Sequence, residues 1–154
     1  MTHVLYSGKP FLCNLLSSRN GKAIRLTYDH KGSDPSEQQR IRAAGGFITN
    51  ERVSGMLAIT RSLGDAELKE FVSGNPFTSA IDLTEDDELV ILACDGVWDV
   101  ISDQEACEFV KSQMQKEAQK STRVDPNRLA EALVDLAMNQ GSSDNISVIV
   151  LLLK

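Results

Sequence analysis

Two short apolar runs, each abutting an acid, constrain this chain more than any other feature. Residues 89–94 (Leu-Val-Ile-Leu-Ala-Cys) end directly in Asp95-Gly96, and residues 146–153 begin just after Asp144-Asn145. A nearly continuous apolar run of this length reads as a strand buried on both faces. An acid at the end of such a strand is anchored by the core yet faces the rim of the sheet, which suits a hard cation seeking rigid oxygen ligands. Asp99 lies four residues beyond Asp95 and joins the same rim if the intervening turn folds back. Were Asp95 and Asp144 to converge in a partly dry site, their like charges would force one to take up a proton unless a divalent cation intervened. Such an ion also lowers the pKa of bound water and supplies a nucleophile without a Ser, Cys or His. An Asp-Gly pair after a strand is more often a plain turn, and spacing alone does not carry the metal reading.

The rest of the chain alternates strand and helix signals. Residues 3–6 and 10–13 suggest short strands around the turn at 7–10. Asn20-Gly21 is a tight-turn signal, and residues 23–28 alternate as the returning strand. Asp34-Pro35, with Glu37 three residues after the cap, starts a helix that stops at Gly45-Gly46. Residues 47–49 and 79–83 suggest further strands. Ser102 and Glu105 form a capping box ahead of Ala106, Phe109, Val110 and Met114 at helical spacing, and residues 116–124 read as a polar connector. Asp125-Pro126 opens a helix with Leu129, Ala132, Leu133, Leu136 and Ala137 on one face and Gly141 past its end.

Composition narrows the function classes. The 154 residues form one domain by length, with 42% hydrophobic and 25% charged residues, enough for a single core. Sixteen basic against 22 acidic side chains give a net charge of −6, without any Lys/Arg stripe. Nucleic acid and anionic membranes are therefore excluded as expected partners, and divalent cations favoured. Neither apolar run approaches the roughly 20 residues that span a bilayer, and no basic-then-apolar leader opens the chain. Cys13, Cys94 and Cys107 are odd in number and contain no Cys-x-x-Cys pair. They read as buried thiols of a reducing compartment, cytoplasmic or nuclear.

The same residues carry a specific resemblance. Residues 91–100 (Ile-Leu-Ala-Cys-Asp-Gly-Val-Trp-Asp-Val) resemble the strand-plus-Asp-Gly-x-Trp-Asp motif of the metal-dependent type 2C protein phosphatases. Residues 141–148, with Asp144-Asn145, resemble that family's closing Asp-Asn motif. Residues 57–65, with Arg61-Ser62-Leu63-Gly64-Asp65, resemble its central motif, and Asp29-His30-Lys31 followed by Gly45-Gly46 resembles its Asp-His-Lys segment and Gly-Gly helix end. Four motifs in order cover roughly residues 22–154, and the fungal members are the most similar in feel. The resemblance implies an α/β (α+β) fold, part of a four-layer α-β-β-α sandwich with mainly antiparallel sheets. It implies hydrolysis of phosphoserine and phosphothreonine in proteins by a water bridging two Mg2+ or Mn2+ ions. Asp95 and Asp144 match the family's metal ligands, and Asp99 matches a position associated with a further, more weakly held metal.

The departures matter equally. Family members run to 250 residues or more and carry an Asp-Gly-His-Gly-Gly motif, whose Asp bridges both metals, and an upstream phosphate-gripping Arg. Here the only Asp-Gly is Asp95-Gly96 and the only histidines are His3 and His30. Where Gly-Asp-Ser-Arg is expected, residues 13–19 read Cys-Asn-Leu-Leu-Ser-Ser-Arg, with no acid. The expectation is thus a single, truncated domain over 1–154, weak or inactive alone because two carboxylates are too few for a pair of six-coordinate ions. Missing strands would expose sheet edges and invite self-association. The competing reading is a non-catalytic pseudophosphatase fragment that acts by binding protein. Other residues carry bland expectations: His30 hydrogen-bonds structurally or pairs with Asp29, Trp98 packs in the core, Arg61 pairs with Asp65 or another acid, and Cys94 is an inert buried thiol.

Overall fold

The computed structural model describes residues 3–8 as backbone, and residues 13–121 and 123–153 in full. In chain order the elements are β1 (His3–Gly8), β2 (Asn14–Arg19), β3 (Lys22–Arg25), α1 (Pro35–Ala43), β4 (Ile48–Thr49), β5 (Arg52–Val53), β6 (Phe77–Asp82), β7 (Asp87–Ala93), α2 (Asp95–Trp98), α3 (Asp103–Lys120), α4 (Pro126–Asn139) and β8 (Val148–Leu152). The main sheet has the order β3-β2-β7-β8, and every pairing in it is antiparallel. β1 pairs with β6 and β4 with β5 as two-stranded sheets. The mixed α/β architecture with antiparallel sheets is the one the sequence implies.

The chain divides into two compact units. Of the described residues, the first comprises 3–4, 13–27, 80–121 and 123–153, and the second 5–8 and 28–79. In the first, β2 and β3 are joined by Asn20-Gly21, both at positive φ (50° and 73°), as a tight hairpin turn demands. β7 sits between β2 and β8. Its register sets Leu16, Ile91 and Val150 in one row across the sheet, and all three are buried. The same face carries Leu89 and Ala93, and packs with Val97, Ile101, Ala106, Cys107 and Val110 and with Leu129, Leu133 and Ala137 of α4. Both helices are capped as their sequences require. The Ser102 hydroxyl accepts from the Glu105 N–H (3.3 Å), and the Asp125 carboxylate accepts from the Asn127 N–H (3.0 Å).

In the second unit Ile41, Val53 and Val72 form a small core with Ile48, Leu57, Leu68 and Phe71 packed on it. α1 starts where expected, the Asp34 carboxylate accepting from the Ser36 N–H at 2.8 Å, and ends before Gly45 at φ 86°. Several local expectations are corrected. Residues 14–19, given no element by the sequence reading, form β2, where Ser17 and Arg19 find a polar partner in Asp87. Residues 116–120, read as connector, extend α3, since Lys, Glu, Ala and Gln propagate a helix without any apolar periodicity. Of the strand read at 10–13, residues 10–12 lie outside the described residues, and Cys13 precedes β2. Among the described residues no helix is long and apolar enough to cross a membrane.

Candidate metal centre

The site is built where β7 and β8 end side by side. Ala93 faces Val148 in the ladder, and one step on the Cys94 N–H donates to the Ser147 carbonyl (3.2 Å). β7 then turns into the single turn α2, which begins at Asp95, while the approach to β8 runs through residues 142–147. These two segments are fastened together. The Ser142 hydroxyl donates to the Gly96 carbonyl (2.6 Å), the Cys94 thiol donates to the Asn145 carbonyl (3.0 Å), and the Ser147 N–H donates back to the Cys94 sulfur (3.2 Å). Gly96 permits this closeness, for a Cβ there would lie 2.4 Å from the Asn145 carbonyl oxygen.

Asp95 and Asp144 therefore occupy the same rim of the sheet. Each has the same local anchor: the Gly96 N–H donates to Asp95 Oδ1 (3.1 Å), and the Asn145 N–H donates to Asp144 Oδ1 (2.7 Å). Asp95 is half-buried and Asp144 exposed. Asp99 closes α2, its N–H donating to the Asp95 carbonyl (2.9 Å), so it stands one helical turn along from Asp95 and is exposed. Trp98 packs partly buried against the core, and its indole N–H donates to the Ala93 carbonyl (2.6 Å), which holds the α2 turn against β7. Among the described residues, no group of three or more His, Cys, Asp or Glu side chains is placed to hold a metal ion. Two carboxylates on one rim supply too few protein oxygens for a pair of six-coordinate ions.

Other charged residues hold each unit together internally. Arg61 pairs with Glu37, not with Asp65, at 2.6 Å, and Arg40 reaches the same carboxylate at 2.9 Å. Glu37 is thus a buried acceptor rather than the reciprocal partner of a capping box, a role its position three residues after Asp34 concealed. His30 is not bonded to Asp29. Its ring lies edge-on to Tyr28 (centroids 5.0 Å apart), both ring nitrogens are buried without hydrogen-bond partners, and burial and then the Arg61 charge hold its pKa below the ordinary value. In the first unit Asp87 accepts from Ser17 (3.0 Å), Arg19 (2.9 Å) and the Thr84 N–H (2.7 Å). Of the three thiols only Cys107 is fully buried; Cys13 and Cys94 are half-buried, which corrects the reading of all three as core.

Comparison with known proteins places this geometry. The model of the protein phosphatase 2C family matches residues 13–146. Protein phosphatase 2C homolog 1 of Saccharomyces cerevisiae is 46% identical over 149 residues, covering 97% of this chain and 50% of the yeast protein. The protein of the same name in Schizosaccharomyces pombe is 45% identical over 148 residues, covering 96% and 40%. Among solved structures, a C. elegans sex-determining protein aligns with a TM-score of 0.80 at 29% identity, covering 99% of this chain and 36% of that one. A phosphatase from Toxoplasma gondii aligns at 0.78 and 30% identity, covering 96% and 46%. The chain spans half or less of the length of these relatives. A family match over most of its residues, with the Asp-Gly and Asp-Asn segments meeting at one sheet rim, establishes that this chain belongs to the protein phosphatase 2C family.

Proposed function

We propose that the chain carries one carboxylate half of a Mg2+- or Mn2+-dependent protein serine/threonine phosphatase centre, with phosphoserine and phosphothreonine proteins of the cytoplasm or nucleus as the substrate class. Asp95 and Asp144 are the ligands, and Asp99 assists a more weakly held ion. The observation that carries this reading is the fastening of the Asp95 and Asp144 segments to each other through Gly96, Cys94 and Asn145. Because the donor set does not fit two ions, the 154-residue chain by itself is weak or inactive, and no hydrolytic step is assigned to it.

Calorimetric titration with Mn2+ and a phosphothreonine-peptide assay test this together. We expect binding on the order of millimolar, as for sites with few charged ligands. Asp95→Asn and Asp144→Asn should each weaken it further, and turnover should not exceed background. Identical titrations for the parent and Asp95→Asn would remove the ligand assignment. Turnover that disappears on Asp95→Asn would instead overturn the inactivity.

A second reading, a non-catalytic fragment that acts by binding protein, has its own support. β8 is an edge of the main sheet, and its Ile149 and Leu151 are each 54% exposed. An uncharged, β-branched edge strand is a template for pairing with another chain, a second copy included.

A further inference from the structure

The two half-buried cysteines are neighbours. In the β2–β7 ladder Asn14 faces Ala93 and Leu15 faces Leu92, so the next step of the register sets Cys13 opposite Cys94. Strand alternation sends both side chains to the sheet face shared by Leu15 and Leu92, opposite the face packed on α3 and α4. Directly opposed residues of an antiparallel pair have Cα atoms about 4.5–5.5 Å apart. That lies inside the roughly 4.4–6.8 Å that a disulfide spans. Both thiols are half-buried rather than sealed in the core.

We propose that Cys13 and Cys94 form a dithiol modification site, which hydrogen peroxide or a related peroxide converts into an intrachain cross-strand disulfide. One thiol, as its thiolate, attacks the peroxide: an S–O bond forms, the O–O bond breaks, the departing oxygen takes up the proton the thiol gave up, and a sulfenic acid and one water result. The partner sulfur then displaces the sulfenic oxygen, which leaves with the second thiol proton as another water. The two sulfurs lose two electrons in total and the peroxide gains them. The consequence is local to the carboxylate rim. The Cys94 thiol donates to the Asn145 carbonyl, and a disulfide sulfur has no hydrogen to donate. Oxidation therefore removes one of the ties between the segment carrying Asp144 and the end of β7, and leaves the Ser142–Gly96 bond in place. Bond formation does not depend on the metal reading, so its test uses no metal.

Cys107 is an internal control. It is fully buried among the core residues on α3, which keeps peroxide from its sulfur, and burial pushes its thiol up to about 11. The full chain is treated with hydrogen peroxide, alkylated, and digested after Lys, Arg and Glu, since Glu105 separates Cys94 from Cys107. The expected product is a monomer lighter by two hydrogen atoms, with a Cys13–Cys94 linked peptide, an alkylated Cys107 and full reversal by dithiothreitol. Cys13→Ser should lose the linked peptide and accumulate sulfenic or sulfinic acid at Cys94. Hydrogen exchange across residues 142–147 should quicken in the oxidised chain. Predominant links to Cys107 or between molecules, or separate over-oxidation of Cys13 and Cys94 in the parent chain, would overturn the site. Unchanged exchange at 142–147 would overturn its coupling to the Asp144 segment.

Discussion

Glu37 illustrates how a single side chain can bind a unit together. Only 2% exposed, its carboxylate accepts from Arg61 (2.6 Å), the Thr60 hydroxyl (2.7 Å) and Arg40 (2.9 Å). Burial alone would raise its pKa, but the guanidinium and hydroxyl donors outweigh it and hold the group at about 2. Asp87 behaves alike. Burial pushes it up, while Arg19, Thr84 and Ser17 bring it down to about 2. Both acids have ordinary values in the unfolded chain, so their stabilisation is complete above about pH 4.5 and is lost as the pH falls towards 2. Denaturant midpoints should therefore drop across that window. Glu37→Gln should cost roughly 2–3 kcal/mol, below the 3–5 typical of a broken buried pair because both guanidiniums retain some water. It should also flatten the acid dependence in urea titrations. An unaltered midpoint at neutral pH would show that the arginines hold the unit without this acid.

At the scale of elements, the join between α2 and the lead-in to β8 decides the carboxylate rim. Gly96→Ala places a methyl group against the Asn145 carbonyl, and neither partner is the movable tip of a side chain. The two segments must separate, at a cost of about 1–3 kcal/mol as for other overpacked sites. Urea denaturation should register the loss, and amide exchange at residues 142–147 should quicken in the same variant. A variant as stable as the parent would mean that the segments are not in contact. Helix starts were legible in the sequence, since Asp34, Ser102 and Asp125 cap their helices through short local hydrogen bonds. The end of α3 was not legible. Residues 116–120 are polar apart from Ala118, and a solvated last turn carries no apolar period to read.

For the molecule as a whole, the open edge at β8 is the feature with outward consequences. Ile149 and Leu151 point away from the face that holds Val150, and the strand carries no charge to discourage pairing with another chain. Leu151→Lys should lower any concentration-dependent association in sedimentation velocity while leaving the melting temperature within a few degrees, as exposed substitutions usually do. Association that is indifferent to this change would move the contact elsewhere. The net charge of −6 resists non-specific aggregation and leaves neutral patches of this kind as the places where copies can meet.

By itself the sequence determined the family, the antiparallel α/β architecture, the central place of β7 and the three acids that merit attention, because apolar run lengths, caps and motif order are local properties of the chain. Tertiary structure decided which groups meet. It set Glu37 against Arg61 and Arg40, left the His30 ring nitrogens without a hydrogen bond, and brought Cys13 opposite Cys94. It also fastened the Asp95 and Asp144 segments through Gly96. Glu37 and Arg61 lie 24 positions apart, Cys13 and Cys94 81, and the two acids 49. Strand register and burial select such pairs, and no local pattern records them.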